Sequence, residues 1–556
     1  MARLKYNFTW KKFHRWLGLV LSVFMLVFCV SGIILNHREV FSGCEVSRKW
    51  LPASYHIKNF NNGVVKGTVV KNSGSLAISD GFSDSILVYG CAGVFLTDYQ
   101  LSTWQDFNAG LPKSIDERNV RHLVQARDGS LWCAALRDVY RYDENSQGWK
   151  KVELPGNEER IMDVALGKDS MVVVALTRSR VFTIVPFVQY GEIVKIGKSS
   201  SETYRVESKI IPAPKKYEPK TTLFKLVWHL HSGEFFGLPG KLVVDAIALV
   251  LIVLSITGIL LFILPYGIRR AKKLAAKARM KRLGKQFAWN MKWHNKIGYV
   301  TIVLTLWIAI TGMCLRPPLM VPLVLSKLPQ TVGEDGNVWQ DKLRAIRWDA
   351  VQGDWLVSTS EGFLRVDEDF SQAPKMLPDD ECPKLSPMGI TVWESDGKGG
   401  WIVGSFRGIY RWNPVNHSSN QILDYFTDKP SVETSMIPIS DNLVCGYSED
   451  FLGGKPLVFD FAKGVEDAKG QAVALCNDET KTSRNEDSMS DLICETAPMS
   501  LWNVALELHV GRCYSPFLGP LSDLFVFLSG LLITLVLLSG YIISHRRRKK
   551  AQARLK

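Results

Sequence analysis

The chain has 556 residues, a formal net charge of +14 and 46% hydrophobic residues. This length is too great for one compact core, so two or more structural units are expected. The positive charge is concentrated in three short stretches without acidic residues, which is a signal of membrane orientation and gives no support to nucleic-acid binding. The sequence has no Walker loop, nucleophile elbow or zinc-protease helix, which argues against a hydrolase.

Four apolar segments of about 20 residues, enough to cross a hydrocarbon core about 30 Å thick, predict four transmembrane helices. They cover approximately residues 16–36, 241–264, 297–316 and 521–544. Five Lys or Arg residues precede the first segment, ten lie between Arg269 and Lys292, and seven follow His545. By the positive-inside rule these stretches and both termini face the cytoplasm. The sequence therefore predicts a multi-pass protein of the inner membrane whose long polar parts are periplasmic.

Two internal repeats organise the apolar segments. His14 opens the first segment within FHRWLG and His294 opens the third within WHNKIG, and in both copies a Ser-Gly or Thr-Gly pair begins 17 residues after the histidine. His231 and His509 precede the second and fourth segments within LHSG and LHVG. The first segment lacks a small-x-small cleavage site and has an internal copy, so it is expected to be a retained helix. These repeats predict a duplicated 2+2 helical membrane unit.

The matched spacing of four histidines favours two haem sites. Neutral imidazole is a good ligand of haem iron, and two-fold-related copies would face one another across a shared axis. We therefore expect His14 with His294 to hold an inner haem b and His231 with His509 to hold an outer one. Three histidines without an equivalent in the other copy are alternative ligands: His37, His229 and His545. The competing interpretation is that such residues are only interfacial anchors near helix ends.

Other small and acidic residues recur at the same places in both copies. Asp245 and Asp523 each lie 14 residues after an LHxG histidine. We expect them to cap or anchor helices, and orienting a ligand or binding a cation are the alternatives. Each apolar segment also contains one small pair expected to allow close helix contact, namely Ser31-Gly32, Thr257-Gly258, Thr311-Gly312 and Ser539-Gly540.

The exported parts show short strands separated by turns. DGSLW at 128–132 and DGKGGW at 396–401 mark the clearest units, and weaker units centre on Leu87, Val172, Trp355 and Leu443. Within each part the centres are about 40 to 46 residues apart, the period of four-stranded propeller blades. Because three blades cannot close a ring, we expect both parts to combine into one six- or seven-bladed propeller. Two separate β domains are the alternative.

The predicted fold is thus an α-helical membrane protein with a large exported all-β, propeller-like domain built from two insertions. Its parts in chain order are the N-terminus and first helix (1–37), a β-rich segment (38–220), an interfacial helix with the second membrane helix (221–268), a basic cytoplasmic loop (269–292), the third helix (293–316), a second β-rich segment (317–496), an interfacial helix with the fourth membrane helix (497–545) and a basic cytoplasmic tail (546–556). Eight of the ten cysteines lie outside the membrane segments, which permits disulfides, and Cys476 with Cys494 is one candidate pair.

Four stretches resemble the PepSY-associated transmembrane family, whose members carry an HRWxG-type first helix and an LHxGxxxG-type stretch before the next: His14–Gly32, Leu230–Gly258, His294–Gly312 and Leu508–Gly540. Characterised relatives are dihaem reductases of the inner membrane linked to uptake of iron from siderophores. The resemblance implies ferric-siderophore reduction on the periplasmic side, with the four repeat histidines as the family-pattern histidines. The exported part departs from the family, because relatives typically carry a small PepSY α+β domain between helices one and two.

These patterns predict a haem-b electron-transfer protein that reduces a ferric siderophore or other ferric chelate outside the cytoplasm and supports iron acquisition. The cytoplasmic pieces are too short for a nucleotide-binding domain, and no GxGxxG follows a strand. The electron donor is therefore expected to be quinol or a separate cytoplasmic reductase, and the acceptor a ferric chelate or a periplasmic carrier. The alternative is a membrane-anchored propeller sensor or scaffold without redox activity. A transporter would need polar residues near the middle of the bilayer, where these helices are apolar.

Overall fold

The structure, a computed structural model, divides the chain into two compact units. The helical unit comprises Met1–Phe41, Lys220–Gln330 and Leu501–Lys556, and the β unit comprises Ser42–Pro219 and Thr331–Ser500. The residues that the structure describes are 2–71, 85–101, 103–186, 188–189, 192–193, 204–332, 335–386, 389–416, 418–421, 443–451, 453–467, 469–473 and 497–553.

The first stretch of the β unit forms three four-stranded antiparallel sheets. Its strands are β1 (Glu45–Val46), β2 (Gly67–Lys71), β3 (Ser85–Gly90), β4 (Gly93–Asp98), β5 (Trp104–Asp106), β6 (His122–Gln125), β7 (Leu131–Ala134), β8 (Val139–Asp143), β9 (Gly148–Val152), β10 (Ile161–Leu166), β11 (Val173–Thr177), β12 (Val181–Pro186), β13 (Val188–Gln189), β14 (Glu192–Ile193) and β15 (Tyr204–Lys209). The sheet orders are β2-β3-β4-β5, β6-β7-β8-β9 and β10-β11-β12-β15, with β13 and β14 forming a separate pair. The strands of each four-stranded sheet follow chain order, and the third sheet skips β13 and β14.

The second stretch repeats this arrangement. Its strands are β18 (Leu343–Asp349), β19 (Asp354–Thr359), β20 (Gly362–Val366), β21 (Lys375–Met376), β22 (Val392–Ser395), β23 (Trp401–Ser405), β24 (Gly408–Asn413), β25 (Ser418–Gln421), β26 (Val444–Ser448), β27 (Leu457–Asp460), β28 (Gly464–Asp467) and β29 (Met499–Ser500). The sheet orders are β18-β19-β20-β21, β22-β23-β24-β25 and, within the described residues, β26-β27-β28. Strand β29 pairs with β1. The strands between the two stretches, β16 (Lys220–Thr222) and β17 (Lys327–Pro329), pair in the helical unit.

Hydrogen bonds link the first strands of neighbouring sheets, or the residues just before them, in a closed series. They are Lys66 Nζ to Val120 O (2.9 Å), His122 Nδ1 to Val164 O (2.7 Å), Ile346 N to Asp163 Oδ2 (2.9 Å), Arg347 Nε to Trp393 O (2.8 Å), Thr391 Oγ1 to Val444 O (2.7 Å), and Thr68 Oγ1 with Ser448 Oγ (2.7 Å). The last bond returns from the sixth sheet to the first. The two stretches of the β unit thus form one continuous series of six sheets.

A buried ion pair joins the two stretches where β10 meets β18. The Asp163 side chain is 4% exposed and accepts hydrogen bonds from Arg347 Nη1 at 2.6 Å and from the Ile346 amide. Arg347 also donates to the imidazole Nε2 of His122 at 3.2 Å. Since His122 and Asp163 belong to the first stretch and Arg347 to the second, this network depends on both stretches.

The helical unit contains ten α-helices within the described residues. They are α1 (Ala2–Asn36), α2 (Arg38–Phe41), α3 (Leu223–Ser232), α4 (Gly237–Lys273), α5 (Lys277–Val300), α6 (Ile302–Cys314), α7 (Met320–Leu325), α8 (Leu501–His509), α9 (Ser515–Leu518) and α10 (Ser522–Gln552). In these described parts, three helices are long and apolar enough to cross a membrane: Trp10–Asn36, Glu234–Lys273 and Arg512–Lys550. A fourth candidate is the pair α5 and α6, which is bent by 68°.

Three details differ from the sequence predictions. The predicted third helix is broken between α5 and α6 at Thr301. The predicted basic loop 269–292 is helical apart from residues 274–276, because its Lys, Arg and Ala residues are strong helix formers. Residues 317–330, predicted to be part of the second β-rich segment, belong to the helical unit.

Short helices precede the second and fourth spans, as the sequence predicted. Helix α3 ends at Gly233, which has φ 79°, and α8 is followed by Gly511, which has φ 85°. Glycine adopts this left-handed conformation without steric cost and allows the chain to turn sharply at a helix end. A Cβ at Gly233 would lie 2.3 Å from Gly240 O, so the turn is also too tight for another residue.

The described cysteines are all free thiols: Cys29, Cys44, Cys91, Cys133, Cys314, Cys382, Cys445 and Cys513. The predicted partners Cys476 and Cys494 lie outside the described residues. The disulfide between them therefore stays a prediction.

Candidate functional site

The helical unit brings the four repeat histidines together as two pairs. The imidazole rings of His14 on α1 and His294 on α5 have centroids 6.3 Å apart and planes inclined by 68°. The rings of His231 on α3 and His509 on α8 have centroids 6.2 Å apart and planes inclined by 48°. These are the two pairs that the duplication predicted, and their spacing is nearly identical.

Each histidine is held by a hydroxyl from a small pair on another helix. The contacts are His14 Nδ1 to Ser539 Oγ (3.0 Å), His294 Nδ1 to Thr257 Oγ1 (2.9 Å), His231 Nδ1 to Thr311 Oγ1 (3.0 Å) and His509 Nδ1 to Ser31 Oγ (3.0 Å). The sequence predicted helix packing for these small pairs but did not predict their contact with the histidines. The available signal was their number, since four pairs match four histidines.

The hydrogen bonds of the hydroxyls determine which imidazole nitrogen carries a proton. Each hydroxyl donates its single hydrogen to a carbonyl of its own helix: Ser31 to Val27 (2.7 Å), Thr257 to Val253 (2.7 Å), Thr311 to Trp307 (2.8 Å) and Ser539 to Val536 (2.7 Å). The hydroxyl oxygen must then accept from the imidazole Nδ1–H. The Nδ1 atoms of His14 and His509 also lie 3.1 Å from the carbonyl oxygens of Val536 and Phe28, which can only accept. Nε2 is therefore the nitrogen with a free lone pair.

The glycine after each hydroxyl residue gives the imidazole room. A Cβ added at Gly540 would lie 2.8 Å from His14 Cε1, and one at Gly312 would lie 2.8 Å from His231 Cε1. At Gly32 the equivalent distance to His509 Cε1 is 3.3 Å, and at Gly258 the distance to His294 Cε1 is 3.6 Å. The first two distances are too short for a side chain, so these glycines are steric requirements of the histidine positions.

Each pair is complete only when both repeats are present. His14 and His509 are held by α10 and α1, and His294 and His231 are held by α4 and α6, so every supporting hydroxyl comes from the opposite repeat. His14 and Ser31 are 17 residues apart on the continuous helix α1, which corresponds to about 25 Å. The two pairs therefore lie near opposite ends of a helix that is long enough to span a bilayer.

A cavity of about 410 Å³ adjoins the His14–His294 pair, within the size range of small-molecule and cofactor sites. Both histidines line it, as do Gly18 and Gly298, each of which lies four residues after one of them and so shares its helix face. Most other lining residues are apolar, and three are cationic: Lys11, Arg15 and Arg547. The cavity thus combines a broad apolar surface with positive charge and two imidazoles.

The second pair is neutral at physiological pH. Burial, with a smaller contribution from the neighbouring His509, lowers the pKa of His231 to about 3. Burial likewise lowers the pKa of His509 to about 4. Both residues lie outside the candidate membrane spans, on α3 and α8. A neutral imidazole is the form that binds metals.

The other candidate histidines have different surroundings. His37 Nε2 lies 2.6 Å from Asp245 Oδ2. His545 stacks on Tyr299 and Tyr541, with ring centroids 6.3 and 5.8 Å away. His229 is tilted against its neighbour Trp228. Among the described residues the ring contacts of His37 and His545 involve no other histidine, unlike those of the four repeat histidines.

The two repeat aspartates link helices. Asp245 lies well inside α4 and does not cap its start; its carboxylate accepts from Asn36 Nδ2 at 3.2 Å and contacts His37. Asp523 lies in the first turn of α10, 3.8 Å from Arg316 Nη2. Asn36 and Arg316 each lie five residues after the hydroxyl residue of their repeat. The contacts of Asp245 with Asn36 and of Asp523 with Arg316 are therefore equivalent in the two repeats. Capping or anchoring was expected for both residues, and Asp245 does not cap a helix start.

The candidate membrane spans, the two histidine pairs and the large β unit together define a membrane protein with a duplicated helical part. The chain belongs to the family described as the PepSY-associated TM region, which matches residues 3–264 and again residues 262–548. The double match confirms the duplication and the membrane assignment. No curated protein matches the chain.

Two solved structures show a weak similarity. They are the extracellular domains of a proposed hybrid two-component system and a proposed one-component system, both from B. thetaiotaomicron. Each is 10% identical to this chain with a TM-score of 0.32, over 72% and 74% of the chain. The match covers 32% and 39% of the two structures, so the chain spans about a third of their length. This level of similarity supports no inference about function.

Proposed function

We propose that this protein is a haem-b electron-transfer protein of the inner membrane that reduces a ferric siderophore or other ferric chelate on the periplasmic side. The observation that carries the proposal is the ring spacing in the two histidine pairs. An imidazole nitrogen lies about 2.0–2.1 Å from a bound metal ion and the ring centre about 1.1 Å farther, so two imidazoles on opposite sides of one ion have centres about 6.3 Å apart. The observed spacings are 6.3 and 6.2 Å.

The donor set suits a haem better than a bare ion. Among the described residues there is no group of three or more His, Cys, Asp or Glu side chains that could hold a metal. A porphyrin supplies four equatorial nitrogens, so two histidines complete the coordination. The apolar cavity beside His14 and His294 suits the macrocycle, and Lys11, Arg15 and Arg547 suit its two carboxylates. Each pair would bind one haem b, which when bound supplies a reversible one-electron carrier.

The residues of the chain then have definite roles. His14 and His294 form the cytoplasmic-side pair and His231 and His509 the periplasmic-side pair, an orientation supported by the basic stretches at both termini and at 269–292. The apolar cluster of Cys29, Ile247 and Leu251 packs between the helices and excludes water. Apolar packing of this kind favours the transfer of electrons across the membrane over the passage of ions.

The proposed reaction needs a donor of electrons and a ferric acceptor. Each ferric ion takes up one electron and becomes Fe(II), which binds hard oxygen ligands less tightly and is released. A quinol would supply two electrons and release two protons, and a cytoplasmic reductase is the other candidate donor. The acceptor would be the chelate itself or a periplasmic carrier that brings it.

The exported part is proposed to be a composite six-bladed β-propeller with three blades from each insertion. The closed series of hydrogen bonds between six sheets supports this architecture, as do the meander orders. The proposed role of the propeller is to dock the chelate or its carrier.

Reduction of a ferric chelate can be tested with purified protein. Protein in mild detergent is reduced with stoichiometric dithionite without oxygen and mixed with a ferric hydroxamate in the presence of a ferrous-specific chelator. We expect the reduced visible spectrum to return to the oxidised form with one trapped Fe(II) per electron. The gallium(III) complex of the same hydroxamate, which cannot be reduced, should cause no change. A reduced spectrum that persists in excess ferric hydroxamate would contradict the function.

Two glycines of the small pairs, Gly540 and Gly258, allow a matched comparison at the His14–His294 pair. Gly540→Ala should displace His14 and reduce haem bound by the His14–His294 pair, because the new Cβ would lie 2.8 Å from the ring. Gly258→Ala places its Cβ at an ordinary 3.6 Å from His294 and should retain haem. Both changes carry the same helix-propensity gain, about 0.5–1 kcal/mol. The haem-to-protein ratio of the two variants measures this effect. Equal ratios would show that the position of the His14 ring is unimportant for haem binding.

A further inference from the structure

The four hydroxyls each contact the Nδ1 atom of an imidazole, which helix packing does not require. Each donates its hydrogen to its own helix, so only a lone pair is left to face the imidazole. The same arrangement occurs four times, with Ser31 and Ser539 in one pair of helices and Thr257 and Thr311 in the other. Because this arrangement is repeated in two helix pairs, the contact with the imidazole explains why a hydroxyl residue occurs at each of these positions.

We propose that Ser31, Thr257, Thr311 and Ser539 are positioning residues that fix the Nδ1–H tautomer of the histidine each contacts and set its strength as an iron ligand. This inference rests on the proposed function, because it concerns histidines that bind haem. It adds that each repeat tunes the ligands of the other, since every hydroxyl belongs to the repeat opposite its histidine.

The physical basis is the polarisation of the imidazole. An acceptor at Nδ1–H draws the proton outward and raises the electron density at Nε2, which strengthens its bond to the metal. A stronger donor stabilises Fe(III) more than Fe(II), so it lowers the midpoint potential. Outer partners of this kind typically change metal affinity 10–100-fold when removed. Loss of a hydroxyl should therefore raise the potential and weaken haem retention.

The second pair offers the sharpest test because α6 contains its own control. Thr311→Val removes the hydroxyl that contacts His231 and preserves side-chain shape. Thr305→Val removes a buried hydroxyl of the same helix, which among the described residues bonds only to the backbone oxygens of Thr301 and Ile302. Thr311→Ser retains the hydroxyl and serves as the rescue. The full-length protein is used in each case.

The readouts are midpoint potentials from a spectroelectrochemical titration, the g-values of the ferric haems by electron paramagnetic resonance, and haem retention against apomyoglobin. For Thr311→Val we expect one midpoint potential to move positive, one set of g-values to change, and haem to be lost 10–100-fold more readily. Thr305→Val and Thr311→Ser should match the wild type. If Thr311→Val does not fold, Ser31→Ala, which acts on the other histidine of this pair, should show the same changes.

The outcomes separate the inference from the function on which it rests. Wild-type protein without haem after expression with ample haem supply would overturn the proposed function. Haem-loaded wild type with unchanged potentials and g-values in both Thr311→Val and Ser31→Ala would overturn the positioning role alone. Equal changes in Thr305→Val would also overturn it, because they would reflect general helix packing.

Discussion

Replacing His231 by alanine is expected to lower the bound haem from about two to about one per chain, since a bis-histidine iron that loses one of its two protein ligands is no longer held from both sides. The structure gives the reason for a selective loss: the His231–His509 pair is separated from the His14–His294 pair by about 25 Å along α1. The remaining haem should keep its own spectrum. Pyridine haemochrome analysis with protein quantification measures the ratio.

A neighbouring histidine provides the control for this change. His229 lies on the same helix α3, two residues earlier, and its ring packs against Trp228. His229→Ala should retain both haems, as should His545→Ala near the His14–His294 pair. Loss of haem from His229→Ala equal to that from His231→Ala would contradict the assignment of ligands.

Loss of the Asp163 carboxylate is expected to destabilise the β unit by about 3–5 kcal/mol, the usual cost of leaving one member of a buried ion pair without its partner. Asp163→Ala strands the guanidinium of Arg347, which is 12% exposed, and removes the acceptor of the Ile346 amide. The double change Asp163→Leu with Arg347→Met should recover much of this loss because no buried charge remains. Denaturant unfolding of the full-length protein, followed by tryptophan fluorescence, measures both effects.

An exposed ion pair provides the matched comparison. Arg180 and Asp335 also join the first stretch of the β unit to the second, at 2.9 Å, but both side chains are 43% exposed. Asp335→Ala should change the stability by less than about 1 kcal/mol. A small effect of Asp163→Ala, comparable to that of Asp335→Ala, would show that the series of sheets does not depend on this junction.

The sequence was sufficient to predict which histidines form pairs. Duplication alone suggested His14 with His294 and His231 with His509, because equivalent residues of a two-fold repeat meet at the axis. It was also sufficient for the number of β repeats: the six predicted centres each fall in, or directly beside, a strand of a different sheet. Both successes rest on periodicity, which is visible along a chain without any knowledge of its contacts.

Contacts between distant residues were not predictable in this way. Ser539 lies 525 residues from His14, and a small residue in a membrane helix is expected to allow close packing whether or not it also accepts a hydrogen bond. The contact of Asp163 with Arg347 was missed for the same reason, since charged residues in a strand are normally on its solvent face. The break at Thr301 lies within the apolar stretch 297–316, so hydropathy does not register it.

Binding of two haems between the histidine pairs of the helical unit is the basis of the proposed function. The most direct test is the visible spectrum of the purified full-length protein, oxidised and dithionite-reduced, with a haem-to-protein ratio. Two bis-histidine sites should give a Soret band, sharp α and β bands on reduction, and about two haems b per chain. A colourless protein after expression with ample haem would contradict it and would favour a membrane-anchored sensor or scaffold without redox activity.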